Sequence, residues 1–162
     1  MRFASRNNAL GFAARTRKNL DHIEKAYARN VDVHVITQLA NSLLGLIVFP
    51  KEKNFYSHVK ALELQQLEAQ GWPQWQIWKG ERLTLGDLVD HLRNAVAHGH
   101  MAFSSDDREP GKVTIEVEDY KRNAKVPYWC ARIQADDLRS FCLKFIDLLE
   151  NTIGMTDTFD PA

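Results

Sequence analysis

Between Asp32 and Phe49 the chain is apolar at Val35, Ile36, Leu39, Leu43, Leu44, Leu46, Ile47 and Phe49, which leaves little polar circumference for a helix drawn through it. A helix that is apolar most of the way round belongs at the centre of a fold. Asp32 is placed to cap it and Pro50 to stop it. Leu20, Ile23 and Tyr27 mark the inward stripe of a preceding helix from Asn19 or Asp21 to Ala28, and Leu10, Phe12, Ala13 and Ala14 allow an earlier start. Phe55, Val59, Leu62 and Leu67 predict a third helix over Asn54 to Ala69, ended by Gly71. Near the C-terminus Leu138, Phe141, Cys142, Phe145, Leu148 and Leu149 define a last helix, with Asp136 at its positive end. The period changes to two at Val113, Ile115 and Val117, which alternate with polar residues and read as a half-exposed strand. Val126 to Ile133 is its hairpin partner across a polar turn at Lys121 to Lys125. Ser104 to Gly111 reads as a loop, and the tail beyond Gly154 as loose. The predicted fold is mainly α: an up-and-down bundle of four or five helices with one inserted β-hairpin (112–133). Residues 1–155 would form a single domain, and 156–162 a flexible tail.

One further helix carries the polar residues of most interest. From Thr84 to Phe103, Leu85, Leu88, Val89, Leu92, Val96, Gly99 and Phe103 recur at three- and four-residue steps, and Thr84 with Asp87 approximates a capping box. At about 100° per residue, Asp87, His91, Asn94 and His98 share one flank of this stripe and Arg93 and His100 the other. Asp90, Ala97 and Met101 lie between the flanks, and small Ala97 would let a second protomer's helix approach. Arg93, Asn94 and His98 thus place a permanent cation, an amide and an imidazole off the apolar stripe. Those three groups suit a phosphodiester: an arginine fork binds phosphate oxygens, and an imidazole with a pKa of about 6.5 can take or give a proton.

Arg93-x4-His98, with Asn94 directly after the arginine, resembles the signature of the HEPN superfamily, small helical-bundle domains of which many are metal-independent endoribonucleases in toxin–antitoxin, abortive-infection and CRISPR systems. The run from Ile36 to Lys53, followed by Leu92 to Gly99, is similar to a plasmid-borne HEPN-like nuclease subgroup, and the resemblance extends from about Leu20 to Asn151. It implies cleavage of RNA by its own 2′-hydroxyl, with Arg93, Asn94 and His98 catalytic. A single motif offers one well-placed histidine where a base and an acid are needed, so a homodimer that pools two copies of His98 is expected to supply the second. His91, His100, Lys51 and Lys53 are the candidate substrate-binding residues. A cognate antitoxin is a possible partner. HEPN proteins paired with a nucleotidyltransferase resemble Arg-x4-His-x-Tyr. This chain has His100 at the tyrosine position, which argues against regulation through that residue.

Composition sets limits on these readings. The chain has 162 residues, with 21 Lys and Arg against 21 Asp and Glu. That is enough for one real core, and the balance argues against a strongly basic DNA coat while leaving room for a local basic groove. Lys121, Arg122 and Lys125 are candidates for such a path, or ordinary surface. Cys130 and Cys142 form no disulfide or metal pattern, so a reduced cytoplasm is the simplest context. Met1 to Lys18 lacks the apolar core of a signal peptide, and no run is long enough to span a membrane. No cofactor motif is found. Metal is disfavoured because the i, i+4 histidine pair is absent. Simpler readings stay open. Arg93 can pair with Asp87 or Asp90, His98 can close the helix, and Trp72, Trp75 and Trp78 can pin a connection onto the bundle or stack on bases. The alternative function is a non-catalytic bundle of the same type that binds a partner protein or nucleotide.

Overall fold

A computed structural model describes residues 5–52, 57, 59–81 and 84–157. Five helices and four strands occur in the order α1 (Ser5–Ala28), α2 (Val35–Glu52), α3 (Leu64–Ala69), β1 (Gln76–Lys79), α4 (Leu85–Ala97), β2 (Met101–Phe103), β3 (Thr114–Asp119), β4 (Trp129–Gln134) and α5 (Ala135–Asp157). Helices α1, α2 and α5 pack on one another, and α4 touches both α2 and β3. The motif helix is therefore held between the bundle and the sheet. As its composition requires, α2 contributes much of the core, with Val35, Ile36, Leu39, Leu43, Leu46 and Ile47 all buried. Opposite it, α5 buries Leu138, Phe141, Cys142, Phe145, Ile146 and Leu149. Arg17 on α1 bonds Asp147 at 2.6 Å, and Arg139 on α5 bonds Glu24, both at the margin of this core.

The expected single hairpin is half of a larger element. The sheet is antiparallel with strand order β1-β4-β3-β2. Its central pair opposes Ile115 to Ile133, Val117 to Ala131 and Asp119 to Trp129, all on the buried face. The flanking strands are short and largely exposed, so they carry no alternating apolar signature. Strand β4 begins at Trp129 rather than Val126, which is exposed.

Other boundaries also shift. The first helix starts at Ser5, well before Asn19. Residue Asp32 precedes α2, which begins at Val35 and continues through Pro50 to Glu52; in a last turn a proline removes only one backbone bond. Of the helix expected over 54–69, only Leu64–Ala69 is helical, while 54–56 and 58 lie outside the described residues. Gly71, at φ +84°, ends it as expected, with the Trp72 N–H donating to Leu67 O at 3.0 Å. Residues 72–75 form an irregular connection to β1. Trp72 and Trp75 set their rings edge-on to Phe141, at 5.5 and 5.8 Å, and Trp78 sits exposed on β1. At the C-terminus α5 runs past Gly154 to Asp157, so residues 156 and 157 are helical; residues 158–162 lie outside the described set.

The N-terminus of α4 is fixed by backbone. Leu85 N–H donates to Leu62 O and Gly86 N–H to Lys60 O, both at 2.8 Å. The Thr84–Asp87 capping box is complete, with Thr84 Oγ1 accepting from the Asp87 amide at 3.2 Å and Asp87 Oδ2 accepting from the Thr84 amide at 3.1 Å. A Cβ on Gly86 would stand 2.7 Å from the Lys60 carbonyl oxygen. Gly86→Ala should therefore lower stability by about 1–3 kcal/mol, read as a fall in urea midpoint at unchanged slope. A variant as stable as the parent would show that this approach does not hold α4.

Candidate active site

The motif helix ends earlier than its apolar pattern suggests. Gly99 has φ +72°, its N–H donates to Val96 O at 3.1 Å, and the His100 N–H donates to Ala95 O at 2.8 Å. This pair of bonds closes a helix on a left-handed residue. Gly99 is thus the stop of α4 and not a member of its stripe. Phe103 lies on β2, exposed. The buried side of α4 consists of Leu85, Gly86, Leu88, Val89, Leu92 and Ala95. His98 is the C-capping residue, with an exposed side chain, and exposed Ala97 and Gly99 flank it. His100 leaves the helix altogether and its carbonyl accepts from the Glu118 amide on β3 at 3.1 Å. The expected pairing of Arg93 with His100 on one flank is therefore lost.

Arg93 and Asn94 are instead joined to each other and to the sheet. Arg93 Nη2 donates to Asn94 Oδ1 at 3.1 Å, and Asn94 Nδ2 donates to Asp119 Oδ2 at 3.2 Å. The same carboxylate oxygen accepts from His91 Nδ1 at 2.8 Å and from the Tyr128 hydroxyl at 2.8 Å. Asp119 is 2 % exposed, so its charge is withdrawn from water and compensated by these donors. The His91 ring is stacked on Trp129, with centroids 4.6 Å apart and planes 11° from parallel. These contacts commit His91, a candidate substrate-binding residue, to the interior network. Asp119 was not among the residues singled out from the sequence. The signal was present: continuing the inward alternation of Ile115 and Val117 by one step puts a carboxylate on the core face.

His98 and His100 come together, with ring centroids 6.1 Å apart. Both line an open cleft of about 770 Å³, along with Tyr120, Lys121, Arg122 and Lys125. The His100 ring lies 4.4 Å from that of Tyr120, and His100 Nδ1 is buried with no hydrogen-bond partner among the described residues. Lys51 and Lys53 are not brought to this site by anything that can be described: the Lys51 side chain and all of Lys53 lie outside the described residues. Among the described residues no group of three or more His, Cys, Asp or Glu side chains is placed to hold a metal ion. Both cysteines are buried and unpaired by disulfide, and burial pushes the Cys142 thiol up to about 12. No helix among the described residues is long and apolar enough to cross a membrane.

The domain is mainly helical, with Arg93 and Asn94 in the last turns of α4 and His98 capping it, the arrangement expected of a HEPN-type domain. The chain belongs to the family described as HEPN pEK499 p136, which it matches over residues 4–155. Neither a curated protein nor a solved structure matches it significantly.

Two outcomes test the Asp119 network. Asp119→Ala would leave donors on His91, Asn94 and Tyr128 without their acceptor, and should cost about 3 kcal/mol in urea unfolding; a loss below about 0.5 kcal/mol, the scale of ordinary surface substitutions, would contradict the network. Burial, then the bond to Asp119 and its charge, push the Tyr128 phenol up to about 12. A phenol raised on folding contributes stability that is complete below its unfolded pKa of about 10 and is lost as pH climbs through the folded value. Tyr128→Phe should flatten the fall of Tm with pH in that alkaline window, and an unaltered fall would assign it to other groups.

Proposed function

We propose that the chain is a metal-independent endoribonuclease of toxin or phage-defence type, acting as a homodimer with Arg93 and His98 at the shared interface. The observation that carries this reading is the placement of His98: the family's motif histidine stands exposed at a cation-lined cleft, one turn beyond an Arg93–Asn94 pair that is held from behind. An imidazole there is reachable by substrate, and the Arg93 guanidinium, which lies outside the cleft lining, is oriented in advance by Asn94.

In the proposed reaction one His98 takes the proton from the ribose 2′-hydroxyl as that oxygen attacks the adjacent phosphorus. The O2′–P bond forms as the P–O5′ bond breaks, and the His98 of the partner subunit gives its proton to the departing O5′. Arg93 of each protomer stabilises charge on the phosphoryl oxygens, leaving a 2′,3′-cyclic phosphate and a 5′-hydroxyl. The need for a 2′-hydroxyl restricts the reaction to RNA. Exposed Ala97 and Gly99, the latter with no atom within 4 Å of where a Cβ would stand, leave the end of α4 open to a second protomer. A cognate antitoxin would act by covering the same end.

One observation favours the non-catalytic reading: the Arg93–Asn94–Asp119 contacts are also a way of tying α4 to β3. The two readings part at His98, which makes no such contact. RNA cleavage in the presence of EDTA should fall by at least about 100-fold in His98→Ala and Arg93→Ala, with cyclic phosphate ends from the parent and a dimer in sedimentation velocity. Folded, dimeric parent protein that cleaves no RNA would favour the scaffold, and a fully active monomer would remove the pooled-histidine arrangement.

A further inference from the structure

The cleft in front of His98 has a composition unlike the chain as a whole. Across the chain cations and anions balance, yet Lys121, Arg122 and Lys125 gather within five residues on the turn between β3 and β4, and the cleft's lining residues include no carboxylate. The turn is shaped by its own backbone: Asn123 adopts φ +63° and the Ala124 N–H donates to Lys121 O at 2.9 Å. Lys121 is further held with its ammonium 5.5 Å from the centroid of the Tyr128 ring, whose hydroxyl bonds Asp119. The nearby carboxylate of Glu118 is engaged by the Tyr120 hydroxyl at 2.5 Å. Tyr120 and His100, whose rings lie 4.4 Å apart, complete the aromatic part of the lining.

We propose that the Lys121–Lys125 turn is the phosphate-tracking wall of the site. The cleft takes single-stranded RNA, with backbone phosphates on Lys121, Arg122 and Lys125 and a base against Tyr120 and His100, which brings the next phosphodiester to His98. This deepens the ribonuclease reading and rests on it for the identity of the strand as RNA. Cations and aromatic rings lining one cleft are what an unpaired strand requires, because charge follows the backbone and any base can stack. An acidic protein segment would use the cations but gain nothing from the rings.

The test is fluorescence anisotropy of a labelled 2′-O-methyl oligouridine, which lacks the nucleophile, titrated in EDTA across about 50 to 200 mM salt. Replacing Lys121, Arg122 and Lys125 together by alanine removes exposed side chains and leaves the core untouched. It should weaken binding at least about tenfold and reduce the slope of log K against log salt by about 2, since each single-strand phosphate contact contributes about 0.7. A control with the same loss of charge, Lys18→Ala with Arg29→Ala and Lys60→Ala, should change neither. Tyr120→Leu should weaken RNA about fivefold or more while leaving competition by inorganic polyphosphate unchanged. The cleft assignment is overturned if the triple variant and its control behave alike, if the parent fails to bind the oligomer, or if polyglutamate displaces it as well as oligouridine does at equal charge. The two readings fail separately. A parent that cleaves ordinary oligouridine while the triple variant binds like the parent sinks the cleft alone. A parent that binds through the turn and cleaves nothing sinks the ribonuclease alone.

Discussion

A single buried carboxylate determines how the rest of the site is arranged. Asp119 ends β3 on its core-facing side, where burying an uncompensated charge would cost several kcal/mol. Its compensation comes from two directions. His91 and Asn94 reach it from α4, and Tyr128 from the return of the β3–β4 turn. The helix therefore cannot slide or rotate against the sheet without stranding a charge. The turn cannot swing away without losing Tyr128. Because Asn94 gives its amide nitrogen to Asp119, its oxygen is the atom left to receive Arg93. The orientation of the motif arginine is thus set two bonds away, by a residue on a different element.

The end of α4 is governed by a different constraint. Gly99 accepts a left-handed conformation without a side-chain penalty, so the chain turns out of the helix at His98 and pairs with β3 from Met101 onward. Had the helix continued for another turn, His100 would have been carried along the helix axis and away from Tyr120. Stopping it at Ala97 gathers His98, His100 and the β3–β4 turn at one cleft. One end of the motif is immobilised from behind and the other is left accessible, and the division falls between Asn94 and His98.

The helical half of the fold was legible because its signals are strong. The apolar circumference of α2, the stripe of α5 and the Thr84–Asp87 cap each follow from side-chain chemistry within one element. The sheet was half legible, through the alternation at Val113, Ile115 and Val117. Strands β1 and β2 were not legible: a three- or four-residue edge strand with exposed side chains is defined by its partner's hydrogen bonds and carries no pattern of its own. The spacing of Gly99 and Phe103 fits 3.6 residues per turn and so imitates the apolar stripe, although glycine after an exposed histidine is equally a stop. Arg93, Asn94 and His98 stand out in the sequence by their types and spacing, and all three lie at the C-terminal end of α4. The contacts of Asp119 and Tyr128 with α4 could not be read in this way, since their partners there stand 25 to 37 positions away and are met only through the sheet register.

The same register ties the motif helix to the cleft. Tyr128 bonds Asp119 through its hydroxyl and carries Lys121 over its ring, so the residue that helps hold the motif helix also holds the first cation of the cleft. A path of direct contacts runs Arg93, Asn94, Asp119, Tyr128, Lys121. Every step but the last is a hydrogen bond between groups at least partly withdrawn from solvent, where such bonds gain strength from the low local dielectric. The last is an exposed cation–ring contact of lesser energy. The motif end of the path is therefore the rigid one and the cleft end the adaptable one. In the proposed ribonuclease that order would fix the groups nearest the reacting phosphate and let those that follow a variable strand yield.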